Sequence, residues 1–347
     1  MHNSHTIGVL GGGAWGTALA ALLYKKAGYV TQNGDEDGSA RTLDAAPPIW
    51  VRETEVCTAL RRGEGNPIYL PNIALPAMNA SADLNHLSTC QTILSVVPAQ
   101  FARDTFLALA PLIQPGTTLV LCSKGIERGS LQLMTEVLKE TLPDAIPAVL
   151  SGPSFAADVA QGLPTAITLA CADQAHGLAL MEQIGHNTFR PYWTGDLIGA
   201  EIGGAVKNVL AIACGIVEGL GLGKSAHAAL IARGYAEMTR LAVALGGKAE
   251  TLSGLCGLGD LVLTCSSPQS RNMSFGLALG QGQSADSILA ARTAVTEGVA
   301  TAPALRRLAE QAEIEMPICM AVDNILAGQQ SVGESIEQLL RRPYKGE

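Results

Sequence analysis

Apolar residues along this chain fall into two regimes. Up to about residue 195, short aliphatic and β-branched runs recur at 7–10, 92–97, 117–122, 148–150 and 166–170. Between them lie stretches with apolar residues at helical spacing, such as the Ala/Leu-rich segment running to about Lys26. Short apolar runs separated by helical patterns predict a mostly parallel sheet covered by helices on both faces. After about Asp196 the strand signals vanish, and Ala/Leu periodicity continues, broken by glycine loops near 219–225, 253–259 and 280–284. That pattern predicts helices only. The expected class is α/β: a doubly wound, mostly parallel sheet over 1–195, then an all-helical domain over 196–347. No internal period or long low-complexity segment interrupts this order.

The first run leads straight into a glycine motif. Residues 6–20 read TIGVLGGGAWGTALA, a strand, then Gly11-x-Gly13-x-x-Gly16, then a helix. In that setting Gly11 permits a tight turn, Gly13 lets the backbone approach a pyrophosphate, and Gly16 lets helix pack on strand. The diphosphate sits at the helix N-terminus, where the dipole and free N–H groups favour anions. The N-terminal sheet is therefore read as Rossmann-type; the alternative is a glycine-rich turn without a nucleotide. An acid for the ribose is expected about 20 residues past the glycines. That count lands on 33–38, including Asp35, a run of turn composition. A better second strand is 48–52, after what reads as an insertion over 30–46, and it ends on Arg52 with no acid before Glu53. Arginine there suits a 2′-phosphate, which leaves both NAD and NADP open.

Composition narrows the class. The chain has 347 residues, enough for two domains, with 48% hydrophobic and 16% charged residues, as in an ordinary globular protein. A net charge of −8 without a long basic stripe argues against nucleic acid as a partner. Eight scattered cysteines lack metal-ligand spacing, so no metal site is expected, and several lie in apolar runs, which points to reduced thiols in a cytoplasm. No basic-then-apolar leader precedes the glycine motif. The apolar stretch 202–217 is broken by Lys207 and Asn208 and reads as too short to span a bilayer.

Ligands of an open parallel sheet bind beyond the carboxyl ends of its strands. Reading onward from each strand gives Pro98, then Ser123-Lys124-Gly125, then Ser151-Gly152-Pro153-Ser154. Lys124 is thus a cation at the rim, or else an ordinary loop lysine. Lys207 stands out more, as the single charged residue within 202–217. A buried ammonium costs several kcal/mol unless paired, and its pKa falls toward neutrality, as proton exchange near pH 7 requires. The alternative is a lysine reaching out to water. Asp260, delivered by the glycine loop before it, could pair with Lys207, accept a substrate hydroxyl, or cap a helix. Ser270-Arg271-Asn272 combines a guanidinium, an amide and a helix start, a phosphate cradle or simply a solvated turn.

Together the segments GGGAWGTALA, YLPNIALP, SVVPAQ, LCSKGIE, LSGPSFA, IGGAVKNVLAIACGI, LIARGYAEM, GLCGLGDLVLTC and SRN resemble, in order, the NAD(P)-dependent glycerol-3-phosphate dehydrogenases of bacterial type. The likeness covers nearly all of 5–300. It implies interconversion of sn-glycerol 3-phosphate and dihydroxyacetone phosphate by hydride transfer with NAD or NADP, supplying phospholipid synthesis. It further implies Lys207 as proton acceptor beside Asp260, with Lys124 touching substrate and cofactor. Gly152, Ser154, Ser270, Arg271 and Asn272 line the substrate. Ala14, Trp15, Ala156, Arg271, Val295 and Glu297 contact the dinucleotide along with the glycines and Arg52. Members are commonly homodimers. Two departures stand out: the 30–46 insertion, and Ala14 where many relatives carry serine. Another two-domain dehydrogenase acting on a 3-hydroxy acid is the nearest rival, separated by the phosphate reading of Arg271.

Overall fold

The computed structural model describes residues 7–29, 43–292 and 295–343. Asp35 and residues 30–42 of the insertion lie outside these. The described chain forms two compact units. The first runs up to Ser123 and adds Met134–Leu150 and Ser154–Leu197; the second comprises Lys124–Leu133, Ser151–Pro153 and the chain from Ile198 onward. Two short pieces that follow sheet strands in sequence therefore pack with the helical unit.

The first unit is an eight-stranded sheet: β1 (Ile7–Leu10), β2 (Ile49–Trp50), β3 (Ala80–Ser81), β4 (Thr92–Ser95), β5 (Thr118–Leu121), β6 (Ile146–Ser151), β7 (Thr165–Ala170) and β8 (Phe189–Thr194), in the order β3-β2-β1-β4-β5-β6-β7-β8. β1 pairs in parallel with both β2 and β4. Its helices are α1 (Ala14–Lys26), α2 (Thr54–Arg62), α3 (Ala99–Leu109), α4 (Met134–Thr141), α5 (Ala156–Gln161) and α6 (Gln174–Ile184). The winding reverses between β1 and β4, and open α/β sheets bind ligands outside the carboxyl ends of their strands at such a point. β4 and β5 are buried along their whole length, which is why they appear in the sequence as unbroken apolar runs. β8 was not visible in that way. It alternates buried and exposed residues at first, contains Pro191 and lies at the sheet edge, where a missing N–H is tolerated.

The second unit contains α7 (Leu197–Gly219), α8 (Lys224–Ala244), α9 (Ala249–Ser253), a π-helical turn over Leu255–Gly259, α10 (Asp260–Ser266), α11 (Arg271–Gly280), α12 (Ala285–Ala290), α13 (Glu297–Gln311), α14 (Pro317–Leu326) and α15 (Val332–Leu340). With 23 residues and a mean hydropathy of 1.5, α7 is long and apolar enough to cross a membrane, beyond what the run 202–217 suggested. It is instead a core helix, buried from Gly199 to Val217.

Two glycine pairs, Gly215/Gly219 on α7 and Gly276/Gly280 on α11, let these helices meet backbone to backbone. A methyl group at Gly276 would stand 2.0 Å from the Ile212 carbonyl oxygen, and one at Gly215 would stand 2.1 Å from that of Met273. Neither carbonyl can yield without moving its helix. Gly276→Ala is expected to destabilise the protein by about 3 kcal/mol, at the upper end of overpacking costs. A thermal midpoint unchanged in the variant would show that the helices have room to separate.

Candidate active site

The glycine turn of the first unit has the shape that a diphosphate needs. Gly11 has φ 122°, and a Cβ on Gly16 would lie 1.9 Å from the Gly11 carbonyl oxygen. Nothing approaches within 4 Å of the corresponding position on Gly13. Gly13 caps α1 without a side-chain hydrogen bond, and the first turn (Ala14, Trp15, Gly16) carries no acidic residue. Its leading N–H groups have no intrahelical acceptor, which is the arrangement that binds anions. The buried indole Nε1 of Trp15 has no hydrogen-bond partner among the described residues. An open space, a positive helix end and an orphaned donor together fit a dinucleotide.

Beyond β2, Arg52 is exposed and donates to Glu53 at 2.8 Å; Glu53 also accepts the Tyr69 hydroxyl at 3.3 Å. The β2 edge thus offers a cation already paired with an acid. Ser154 follows the second unit's 151–153 segment, and Ala156 opens α5.

Within the second unit, two lysines far apart in sequence share one carboxylate. Asp260 opens α10, but the N-cap residue of that helix is Gly259 and not Asp260. Its Oδ1 accepts from the Lys207 ammonium, and its Oδ2 from Lys124 at 2.8 Å. Lys124 also donates to the Gly152 carbonyl at 3.3 Å. Lys207 reaches the Thr264 hydroxyl at 2.9 Å, one turn beyond Asp260 on the same helix face. The glycine run before Asp260 is not a loose loop. It winds as a π-helical turn into α10, and this sets the direction of the carboxylate.

Asp260 is 1% exposed and Lys207 5% exposed, so each charge depends on its neighbours. Burial lowers the Lys207 pKa, Asp260 opposes this and Lys124 reinforces it, and the balance lies at about 7. Burial acts the same way on Lys124, but the charge and hydrogen bond of Asp260 outweigh it and raise the pKa. Asp260 is pushed up by burial, yet the two ammonium groups hold it below the usual carboxylate range. One carboxylate therefore separates two like amines, leaving Lys124 a fixed cation and Lys207 able to exchange a proton near neutrality. Such divergence marks acid–base assignments.

A second layer locks this cluster. The Asn208 amide donates to the Lys124 carbonyl at 3.1 Å and to Glu297 at 3.4 Å. Asn272 donates to Asn208 Oδ1 at 2.9 Å and accepts from Gly298 N at 2.9 Å. Ser270 caps α11 by accepting from Met273 N, and Arg271 opens that helix. Burial raises the Glu297 pKa against the pull of Arg271, Lys124 and Lys207. Val295 is exposed. Sequence reading passed over Thr264 and the role of Asn208. The first was detectable as the i+4 partner of Asp260, and the second as the other polar residue in the apolar run 202–217.

The comparisons agree across the chain. Residues 6–177 match the family model for the NAD-dependent glycerol-3-phosphate dehydrogenase N-terminus, and residues 196–337 match the model for its C-terminus. A glycerol-3-phosphate dehydrogenase (NAD(P)+) of Maricaulis maris is 59% identical over 345 residues, covering 99% of this chain and 98% of the relative. A crystal structure of glycerol-3-phosphate dehydrogenase from Coxiella burnetii superposes with a TM-score of 0.88 at 39% identity, covering 97% of this chain and 99% of that one. A ketopantoate reductase from Ralstonia eutropha, at 12% identity and TM-score 0.57 over 96% of this chain and 99% of that one, shares the fold alone. The chain belongs to the NAD-dependent glycerol-3-phosphate dehydrogenase family.

Proposed function

We propose that Lys207, Lys124 and Asp260 carry out the proton chemistry of this enzyme, which interconverts glycerol 3-phosphate and dihydroxyacetone phosphate with NAD or NADP. The observation that supports this reading is the sharing of Asp260 by two lysines whose pKa values are driven apart. Bound coenzyme supplies or accepts the hydride at C2 of the substrate. In the oxidative direction, neutral Lys207 takes the C2 hydroxyl proton, and Asp260 stabilises the ammonium that forms. Lys124, still charged, stabilises negative charge developing on that oxygen. In reduction, Lys207 returns the proton. Ser270, Arg271 and Asn272 at the start of α11 form the phosphate cradle, with Gly152 and Ser154 beside the substrate. The glycine turn, Ala14, Trp15, Arg52, Ala156, Val295 and Glu297 hold the coenzyme. This division gives most coenzyme contacts to the sheet domain and most substrate contacts to the helical one. An acidic protein attracts a phosphorylated triose only through such local cations.

The sign of the pH dependence follows from Lys207. The base is needed deprotonated and the acid protonated, so kcat for oxidation is expected to rise with pH through about 7, while kcat for reduction falls over the same range. Profiles that move together in both directions would remove Lys207 as the exchanging group. Arg271→Ala is expected to raise KM for dihydroxyacetone phosphate by about 10-fold or more with a smaller change in kcat; an unchanged KM rejects the cradle. The resemblance further supports a homodimer that supplies glycerol 3-phosphate for phospholipid synthesis. Eight buried free cysteines support a reducing cytoplasm, and the net charge of −8 favours a small anion over nucleic acid as partner.

A further inference from the structure

We propose that Asn66 is a positioning residue for the coenzyme, holding the glycine turn in the shape that receives the pyrophosphate. The inference rests on the reading that this turn binds NAD(P). Asn66 follows α2, 54 residues beyond the turn, and is 1% exposed. Its amide nitrogen donates to the Gly12 carbonyl at 2.9 Å and to the Thr17 hydroxyl at 2.8 Å. Thr17 donates in turn to the same Gly12 carbonyl at 3.3 Å. The Asn66 side-chain oxygen accepts from Tyr69 N at 3.0 Å. Both amide hydrogens and the carbonyl are used, so the side chain has a single orientation.

The geometry gives this contact a consequence for binding. Gly12 C=O and Gly13 N–H belong to one planar trans peptide and point in opposite directions. Pinning the carbonyl to Asn66 and Thr17 therefore turns the Gly13 N–H the other way. Gly13 is also the position of the turn with no atom within 4 Å of where a Cβ would be. Without the pin, three consecutive glycines, Gly11 to Gly13, sample many backbone shapes, and binding must bear the entropy of selecting one. Asn66 bears that cost during folding, so the turn meets its ligand already shaped. The same segment reaches the other end of the coenzyme edge through the Tyr69 hydroxyl on Glu53.

The test is NADH binding followed by fluorescence, with steady-state kinetics, for Asn66→Ala, Asn66→Asp and Gly13→Val. Asn66→Ala is expected to weaken NADH by about 10-fold, the scale of losing one buried hydrogen bond. The KM for dihydroxyacetone phosphate and kcat at saturating NADH stay within about twofold. Asn66→Asp adds a readout that loss of packing cannot imitate. As a carboxylate it offers no donor to Gly12, but once protonated it does. Its NADH affinity is expected to recover as pH falls from about 8 to about 6, while the wild-type affinity stays flat. Wild-type affinity in both Asn66 variants, or a pH-independent loss shared equally by all kinetic constants, overturns the proposal. Gly13→Val fills the space over the turn. If it binds NADH normally, the turn is not the coenzyme site, and the underlying reading falls too. If it loses binding while the Asn66 variants keep theirs, only the role of Asn66 falls.

Discussion

Lys207→Ala is expected to lower kcat in both directions by about 10²–10⁴-fold, the range for losing a positioned acid–base group. NADH affinity should stay within about twofold, because the glycine turn belongs to the other unit. Stopped-flow measurement of hydride transfer together with NADH titration separates the two quantities. The reason for so large an effect is the absence of a substitute. Lys124 already lies above its ordinary pKa and keeps its proton, and Asp260 lies below its own and has none to give. Thr264 is hydrogen bonded to Asp260 at 3.3 Å and is too weakly acidic to replace an ammonium. An alanine enzyme with near-normal turnover would falsify the general-base role.

Asp260→Ala is expected to damage stability and rate together. Removing the shared carboxylate leaves two amines facing each other in a buried cluster without a counter-charge. Breaking a buried pair in this way costs about 3–5 kcal/mol, or roughly 4–7 °C in melting temperature for a protein of this size. In the variant, burial and mutual repulsion depress the lysine pKa values in the folded state. The unfolded chain then binds more protons, so the deficit shrinks as pH rises from about 7 toward about 10. Turnover should fall by about 10²-fold or more, because Lys207 loses the partner that aims it. Thermal melts at several pH values, beside kcat, provide the check. A variant as stable as the wild type at pH 7 would mean that the two amines are not held together as charges.

How much of this was legible beforehand differs between residues. The glycine turn and Lys207 announced themselves, one through a strand–turn–helix context and the other as the single charge in the apolar run 202–217. The strands β1, β4, β5, β6 and β7 appeared as apolar runs because a parallel sheet buries both of their faces. β3, with two residues, carries no periodicity to detect, and edge strand β8 hides behind its proline and exposed side chains. The glycine pairs on α7 and α11 were present as letters, but only the helix crossing shows that the close approach of two backbones depends on them. Whether Asp260 caps a helix or serves the lysines could not be read from spacing, since both uses place an acid at a helix start.

The sequence by itself determined the local elements, the phosphate-binding turn and the presence of an isolated buried amine, because each depends on residues within a few positions of one another. Only the tertiary structure decided which groups titrate together. Lys124 and Lys207 lie 136 and 53 residues from Asp260 along the chain, and a pKa answers to distance through space. Asn66 and Gly12 make the same point at the other ligand: a hydrogen bond across 54 residues leaves no trace in local pattern, since its energy depends on where folding brings the amide.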